Sequence, residues 1–150
     1  MSPSCIVLDS NIFAKLFLDE GDQDQVKSLF QSISDHDISI ICPEIFIYEV
    51  LSIAAQNSFP LQKAYQALEK LRKSYLRIEP LSESQLELAM RMAEDGHGKT
   101  GYPSIYDSAY HTLAIAHEGV FITADKRHIA KARQYGHVAL LEDWKAWLGR

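Results

Sequence analysis

Short β-branched apolar runs alternate along the chain with segments whose apolar residues recur every three or four positions. Cys5–Asp9 (CIVLD), Ile38–Cys42 (ISIIC), Val120–Thr123 (VFIT) and Val138–Leu141 (VALL) read as strands, and Leu76–Ile78 as a short extended stretch. Helical periods cover Asn11–Leu18, Gln23–Ser34, Pro43 to about Asn57, Leu61–Tyr75, Ser82 to about Glu94, Ser104 to about Glu118 and Lys126–Tyr135. A last short helix carries Trp144 and Trp147. Local signals mark several ends. Pro43 suits a first helical turn, Ser82 and Gln85 have capping-box spacing, and Gly119 stands where a C-cap glycine would stop the preceding helix. Strands alternating with helices imply a parallel sheet covered on both faces, and continuous apolar strands fit that burial. With no repeat and no long linker, residues 1–150 are expected to form one α/β domain.

Composition narrows the class. The apolar fraction is 47% and the charged fraction 23%, which supports a packed core rather than a disordered chain. Charges interrupt every apolar run before it nears the ~20 residues of a membrane span. The N-terminal MSPSCIVLD has no basic region followed by a long apolar stretch, so no signal peptide and no membrane partner are expected. Cys5 and Cys42 both lie inside strand-like runs and read as reduced core thiols, which places the protein in the cytoplasm. The net charge of −5 argues against a passive nucleic-acid binder. It does not exclude a nucleic-acid enzyme. If several carboxylates are gathered in one site, the rest of the surface is close to neutral.

Four carboxylates stand at informative places. Asp9 ends the first strand and Asp125 follows the fourth, where parallel α/β sheets bind ligands. Each could also cap the helix it precedes. Asp107 lies three residues after Ser104, so a capping box is a local account of it too. Glu49 has no such account. It interrupts an apolar stripe with Ile45, Phe46, Ser52 and Ile53, and a core-facing carboxylate calls for a partner, best a cation. Glu44, in the first turn after Pro43, is explained by the helix dipole alone. Converging carboxylates raise one another's pKa, and a hard divalent ion such as Mg²⁺ or Mn²⁺ relieves the repulsion.

Asp9-Ser10-Asn11, Glu49 in PEIFIYEVL, Asp107 in YDSAYHTLA and Asp125 in FITADKRH resemble the four acidic motifs of the PIN domain, in the dialect of VapC-type toxins. The resemblance runs in order from Cys5 to about Asp143. It implies a three-layer sandwich with a central parallel sheet of about five strands. It also implies an endoribonuclease in which one or two Mg²⁺ or Mn²⁺ ions, held by Asp9, Glu49, Asp107 and Asp125, activate water to hydrolyse an RNA phosphodiester. Asn11 and Thr123 match accessory polar positions. Implied partners are the RNA substrate, a VapB-like antitoxin whose C-terminal segment enters the groove, and a second copy in a homodimer. His111 departs from the pattern. Standing four residues after Asp107, it either pairs with that acid toward a transition metal or is a buried, hydrogen-bonded ring.

The alternative reading is a non-catalytic module of the same fold that binds RNA or protein. A haloacid-dehalogenase-type phosphatase is disfavoured, because the second aspartate it needs is Asn11. Gly98-Lys99-Thr100 is not a P-loop, since the required first glycine is Ala93 and the preceding segment is helical. RNA phosphates would meet Lys126, Arg127, His128, Lys131 and Arg133 after Asp125. Lys99 or His97 in the Gly96–Pro103 loop, and a second group of Lys63, Lys70, Arg72, Lys73 and Arg77, are further candidates. Tyr102 or Tyr106 would stack on bases. Trp144 and Trp147 read as packing residues or part of a dimer seam.

Overall fold

Five short apolar segments pair into one parallel sheet in the computed structural model, which describes residues 3–19, 21–96, 98–99 and 101–148. His97, a candidate RNA contact, lies outside the described residues. The strands are β1 (Cys5–Leu8), β2 (Ser39–Cys42), β3 (Leu76–Ile78), β4 (Val120–Thr123) and β5 (Val138–Leu140), in the spatial order β3-β2-β1-β4-β5. Ile6 pairs with Ile40 on one side and with Val120 on the other. All four residues of β1 and of β4 are buried, as expected for the centre of a sheet covered on both faces. Burying each of Ile6, Val7 and Leu8 stabilises the fold by roughly 1.5–3 kcal/mol.

Helices α1 (Ser10–Ala14), α2 (Gln23–Asp35), α3 (Ile45–Gln56), α4 (Leu61–Arg72), α5 (Glu83–Glu94), α6 (Ile105–Ala116), α7 (Lys126–Ala132) and α8 (Lys145–Leu148) cover the sheet, giving the three-layer parallel α/β sandwich expected from the pattern. Helix α6 packs on β1, β2 and β4, and α5 packs on α6. Chain order runs outward from β1 to β3, then crosses to β4 and β5. The switch point therefore lies between the carboxyl ends of β1 and β4, the crevice in which such sheets bind ligands. Cys5 and Cys42 are buried free thiols, and Cys42 Sγ donates to the Leu8 carbonyl at 3.3 Å. Trp144 is buried in the core, so it serves packing. Among the described residues no helix is long and apolar enough to cross a membrane.

Several ends differ from the sequence reading. Helix α1 stops at Ala14, not Leu18, because the next turn tightens. Leu16 and Phe17 donate three residues back, to Phe13 and Ala14. Helix α4 ends at Arg72 rather than Tyr75, and α7 at Ala132, where a 3₁₀ turn, Arg133–Tyr135, takes over. Gly119 is not the left-handed cap of α6. Glu118 takes that conformation at φ 53°, with the Gly119 amide donating to the Ala114 carbonyl at 2.8 Å. Gly119 is needed for close approach, since a Cβ there would lie 2.5 Å from the Cys5 carbonyl oxygen. Gly119→Ala should destabilise the fold by about 1–3 kcal/mol, read as a lower urea midpoint at an unchanged m-value. An unshifted midpoint would show that the β1 edge yields freely.

Candidate active site

β1 ends at the switch point, and Asp9 is its next residue. The Asp9 amide donates to the Ile122 carbonyl at 3.0 Å, so the backbone stays tied to β4 as α1 begins. Asp9 occupies the N-cap position of α1, yet its side chain makes no capping bond. It turns instead to β4. Thr123 Oγ1 donates to Asp9 Oδ2 at 2.6 Å, and Ser10 Oγ donates to Oδ1 at 3.3 Å. The same Thr123 hydroxyl accepts the Asp125 amide at 3.0 Å, so one side chain orients the ends of both central strands. Asp9 is only 7% exposed, which local capping does not require.

Glu49 comes from α3 and is half-buried. Its partner is the phenol of Tyr110 on α6, whose hydroxyl donates to Oε1 at 2.5 Å, rather than a cationic side chain. Tyr110 is itself buried and stacked on Phe121 of β4, with ring centroids 5.5 Å apart. Asp107 sits in the first turn of α6, its amide bonded to Ser104 Oγ at 3.0 Å. Asp125 does cap its helix, accepting the Arg127 amide at 2.9 Å, and Arg127 Nε also reaches it at 3.2 Å.

These acids feel one another. Burial pushes the Asp9 carboxyl up to about 6, the Thr123 hydrogen bond opposes this, and the charges of Asp107 and Glu49 add to the rise. Burial likewise raises Glu49, with the Asp107 charge adding to it and the Tyr110 bond opposing. Burial raises Asp107 too, and Asp125 adds while Ser104, Lys131 and Arg127 oppose. Asp125 goes the other way. Its partial burial is outweighed by the Arg127 amide and guanidinium, helped by the His128 amide, which hold it below the usual carboxylate range. Asp107 is thus electrostatically linked to all three other acids.

The donor chemistry suits a hard divalent cation: carboxylates raised by burial and mutual charge and, two residues along the chain from Asp9, a buried Asn11 Oδ1 with no hydrogen-bond partner. Among the described residues, no three His, Cys, Asp or Glu side chains converge into a ready-made ligand set. The acids interact through charge rather than through a closed cage.

His111 does not face Asp107. It is fully buried, with Nδ1 3.0 Å from His128 Nε2 and Nε2 2.6 Å from the Gly136 carbonyl. His128 therefore leaves the basic face proposed from sequence, since its ring is buried. Burial pushes both imidazoles down to about 4, so both are neutral at pH 7. Lys126 and Arg127 are exposed at the mouth of the site, Lys126 Nζ lying 3.9 Å from Glu142, and Lys99 is exposed on its loop. In the second basic group Arg72 pairs with Glu69 and Arg77 with Glu79, both on the surface. Tyr102 and Tyr106 are exposed. Sequence reasoning missed Tyr110 and Ser10. Tyr110 lies three residues after Asp107, on the turn that faces α3, but nothing local announces a partner 61 positions away.

Fold and site together define a doubly wound parallel α/β protein with interacting carboxylates at its switch point. The chain belongs to the PIN domain family, whose profile matches residues 6–134. No curated protein sequence matches it significantly. Among solved structures it resembles VapBC2 from Rickettsia felis bound to a promoter DNA fragment, at 14% identity, 91% of this chain, 96% of that one and a TM-score of 0.67. It also resembles PAE2754 from Pyrobaculum aerophilum, at 18% identity over 99% of this chain and 97% of that one, with a TM-score of 0.64. A third is the Mycobacterium tuberculosis sarcin–ricin-loop-cleaving toxin VapC20, at 16% identity, 72% of this chain, 79% of that one and a TM-score of 0.58. At these identities the likeness is one of fold.

Proposed function

We propose that this chain is a divalent-cation-dependent endoribonuclease, the toxin of a type II toxin–antitoxin pair. The observation that carries the reading is the mutual coupling of Asp9, Glu49 and Asp107 at the switch point, with all three raised above the usual carboxylate range. Membership of the PIN domain family and the fold shared with VapC toxins and VapBC complexes support it. Mg²⁺ or Mn²⁺, one ion or two, would be held by Asp9, Glu49, Asp107 and Asp125 with Asn11 nearby. Such a cation supplies Lewis acidity to a phosphodiester and to the water that attacks it.

The chain's own groups orient the acids for this work. Thr123 and Ser10 fix the Asp9 carboxylate, Tyr110 fixes Glu49, and the first turn of α7 fixes Asp125. Lys126, Arg127 and Lys99 would hold RNA phosphates, which positions the strand without reading its sequence. Tyr102 and Tyr106 offer exposed faces on which unpaired bases can stack. A VapB-like antitoxin would silence the site, and the toxin would act in the cytoplasm as a homodimer.

The test is cleavage of tRNA and a panel of single-stranded RNAs by the purified full chain with Mg²⁺, Mn²⁺ or EDTA. Discrete, cation-dependent products are expected. No product on any RNA together with no Mn²⁺ binding would overturn the nuclease and leave a non-catalytic RNA- or protein-binding module. Tyr110→Phe keeps the ring stacked on Phe121 but removes the hydroxyl from Glu49. Cleavage should fall about tenfold and stability by about 1 kcal/mol. Full activity in that variant would show that Glu49 needs no positioning.

A further inference from the structure

We propose that His111 and His128 are positioning residues: a hydrogen-bonded pair of imidazoles that joins α6 to α7 and sets where Asp125 stands relative to Asp107. This rests on the nuclease reading and adds to it two residues whose rings bond each other and the Gly136 carbonyl rather than the acids' oxygens.

The protons on the two rings follow from their partners. The Gly136 carbonyl only accepts, so His111 Nε2, 2.6 Å away, carries the proton. In a neutral ring His111 Nδ1 is then an acceptor, and His128 Nε2 at 3.0 Å must donate to it. That leaves His128 Nδ1 bare. The structure agrees, since this atom is buried without any hydrogen-bond partner. Gly136 takes φ 67°, the left-handed backbone that a glycine tolerates, and its carbonyl receives the chain's terminal proton. A donor chain therefore runs one way, from α7 through α6 to the turn before β5.

Its place relative to the acids gives it leverage. His111 lies four residues beyond Asp107, one helical turn down α6. His128 lies three residues beyond Asp125, one turn down α7. The link thus spans the two helices one turn below the two carboxylates. Among the described residues no other hydrogen bond or ion pair joins α6 to α7. The Asp125 carboxylate is held by amides of the first turn of α7, so the rotation of that helix carries the acid with it. Phe121 of β4 packs against both rings, at 6.1 Å and 5.6 Å, and fixes their planes. An apolar side chain at 128 would fill the same space without an orphaned nitrogen. Among the described residues, the one hydrogen bond that the His128 ring makes is to His111.

The test uses the ¹⁵N-labelled full chain. Long-range proton–nitrogen spectra at pH 7 should show both rings in the Nε2–H form, and an Nδ1–H ring at either position would overturn the pair. His128→Leu removes the donor, whereas His128→Gln retains an amide donor near the Nε2 position. The Arg127 amide, which donates to Asp125, should exchange with solvent at least about tenfold faster in His128→Leu and near the wild-type rate in His128→Gln. RNA-cleavage kcat should fall about tenfold in the Leu variant at unchanged KM and recover in the Gln variant. Unchanged Arg127 exchange in His128→Leu, or equal losses in both variants, would overturn the positioning role. A wild-type chain that cleaves no RNA would remove the nuclease reading alone, because the ring tautomers and the Arg127 exchange decide the pair without activity.

Discussion

Asp9→Asn protein should lose cation-dependent RNA cleavage by about a thousandfold while keeping its fold. Asp9 is the most buried of the four acids, and its carboxylate receives hydroxyl protons from both Thr123 and Ser10. Asn at this position keeps the shape and one oxygen, so Thr123 retains an acceptor. What disappears is a full negative charge in a place screened from water. Charges of this kind count most in a desolvated site, and losing one preorganised electrostatic group typically lowers turnover by about 10²–10³. The loss should appear in kcat, with RNA affinity little changed, because phosphate contacts depend on the exposed basic residues. Cleavage at near wild-type rates by the folded variant would remove Asp9 from the chemistry. It would also transfer the weight of the reading to Asp107, the acid linked to all three others.

The same substitution should make the cation-free protein more stable at neutral pH. In the folded chain the Asp9 carboxyl titrates at about 6, mainly through burial, against about 3.9 in an unfolded chain. Below the lower value both states hold the proton and nothing is lost. Between the two values the native state keeps a proton that the unfolded chain releases, so stability falls as pH rises. Above the folded value the penalty is constant, at most about 3 kcal/mol. The Thr123 hydrogen bond is already counted in that value, because it opposes the rise that burial causes. The net gain for Asp9→Asn is therefore up to about 3 kcal/mol at pH 7.5, shrinking toward zero near pH 4. Urea unfolding in EDTA across that range measures it. Mg²⁺ or Mn²⁺ should then reverse the order, stabilising wild type by mass action and the variant little. A gain that grew toward acid pH would contradict the picture of a buried carboxylate held charged against its surroundings.

The parts of the structure that were legible in the sequence are those with local causes. Val7 and Leu8 could only be central, because a continuous apolar run needs both faces covered. The Ser82–Gln85 capping box forms with both of its bonds, since its partners are three residues apart. The order of strands and helices limited the sheet to a parallel one, and that placed Asp9 and Asp125 beyond strand ends. Helix lengths were less legible. Leu16 and Phe17 keep the apolar period of α1 while winding in three-residue turns, and hydrophobic spacing does not separate the two. At Gly119 the residue type was right and the reason was wrong. The left-handed residue is Glu118, and the glycine answers to a backbone oxygen more than 100 positions away.

The sequence by itself determined which side chains carry charge, which runs must be buried and which acids follow strands. Each of these depends on neighbours along the chain. Only the tertiary structure decided what each acid meets. Asp9 gives up the cap of its own helix for Thr123, Glu49 finds a phenol rather than a cation, and His128 leaves the basic surface to bond His111. These outcomes turn on burial and on partners brought together by the crossing from β3 to β4. A hydrogen bond between residues 17, 61 or 114 positions apart leaves no periodic trace in the chain, because the spacing that matters is through space.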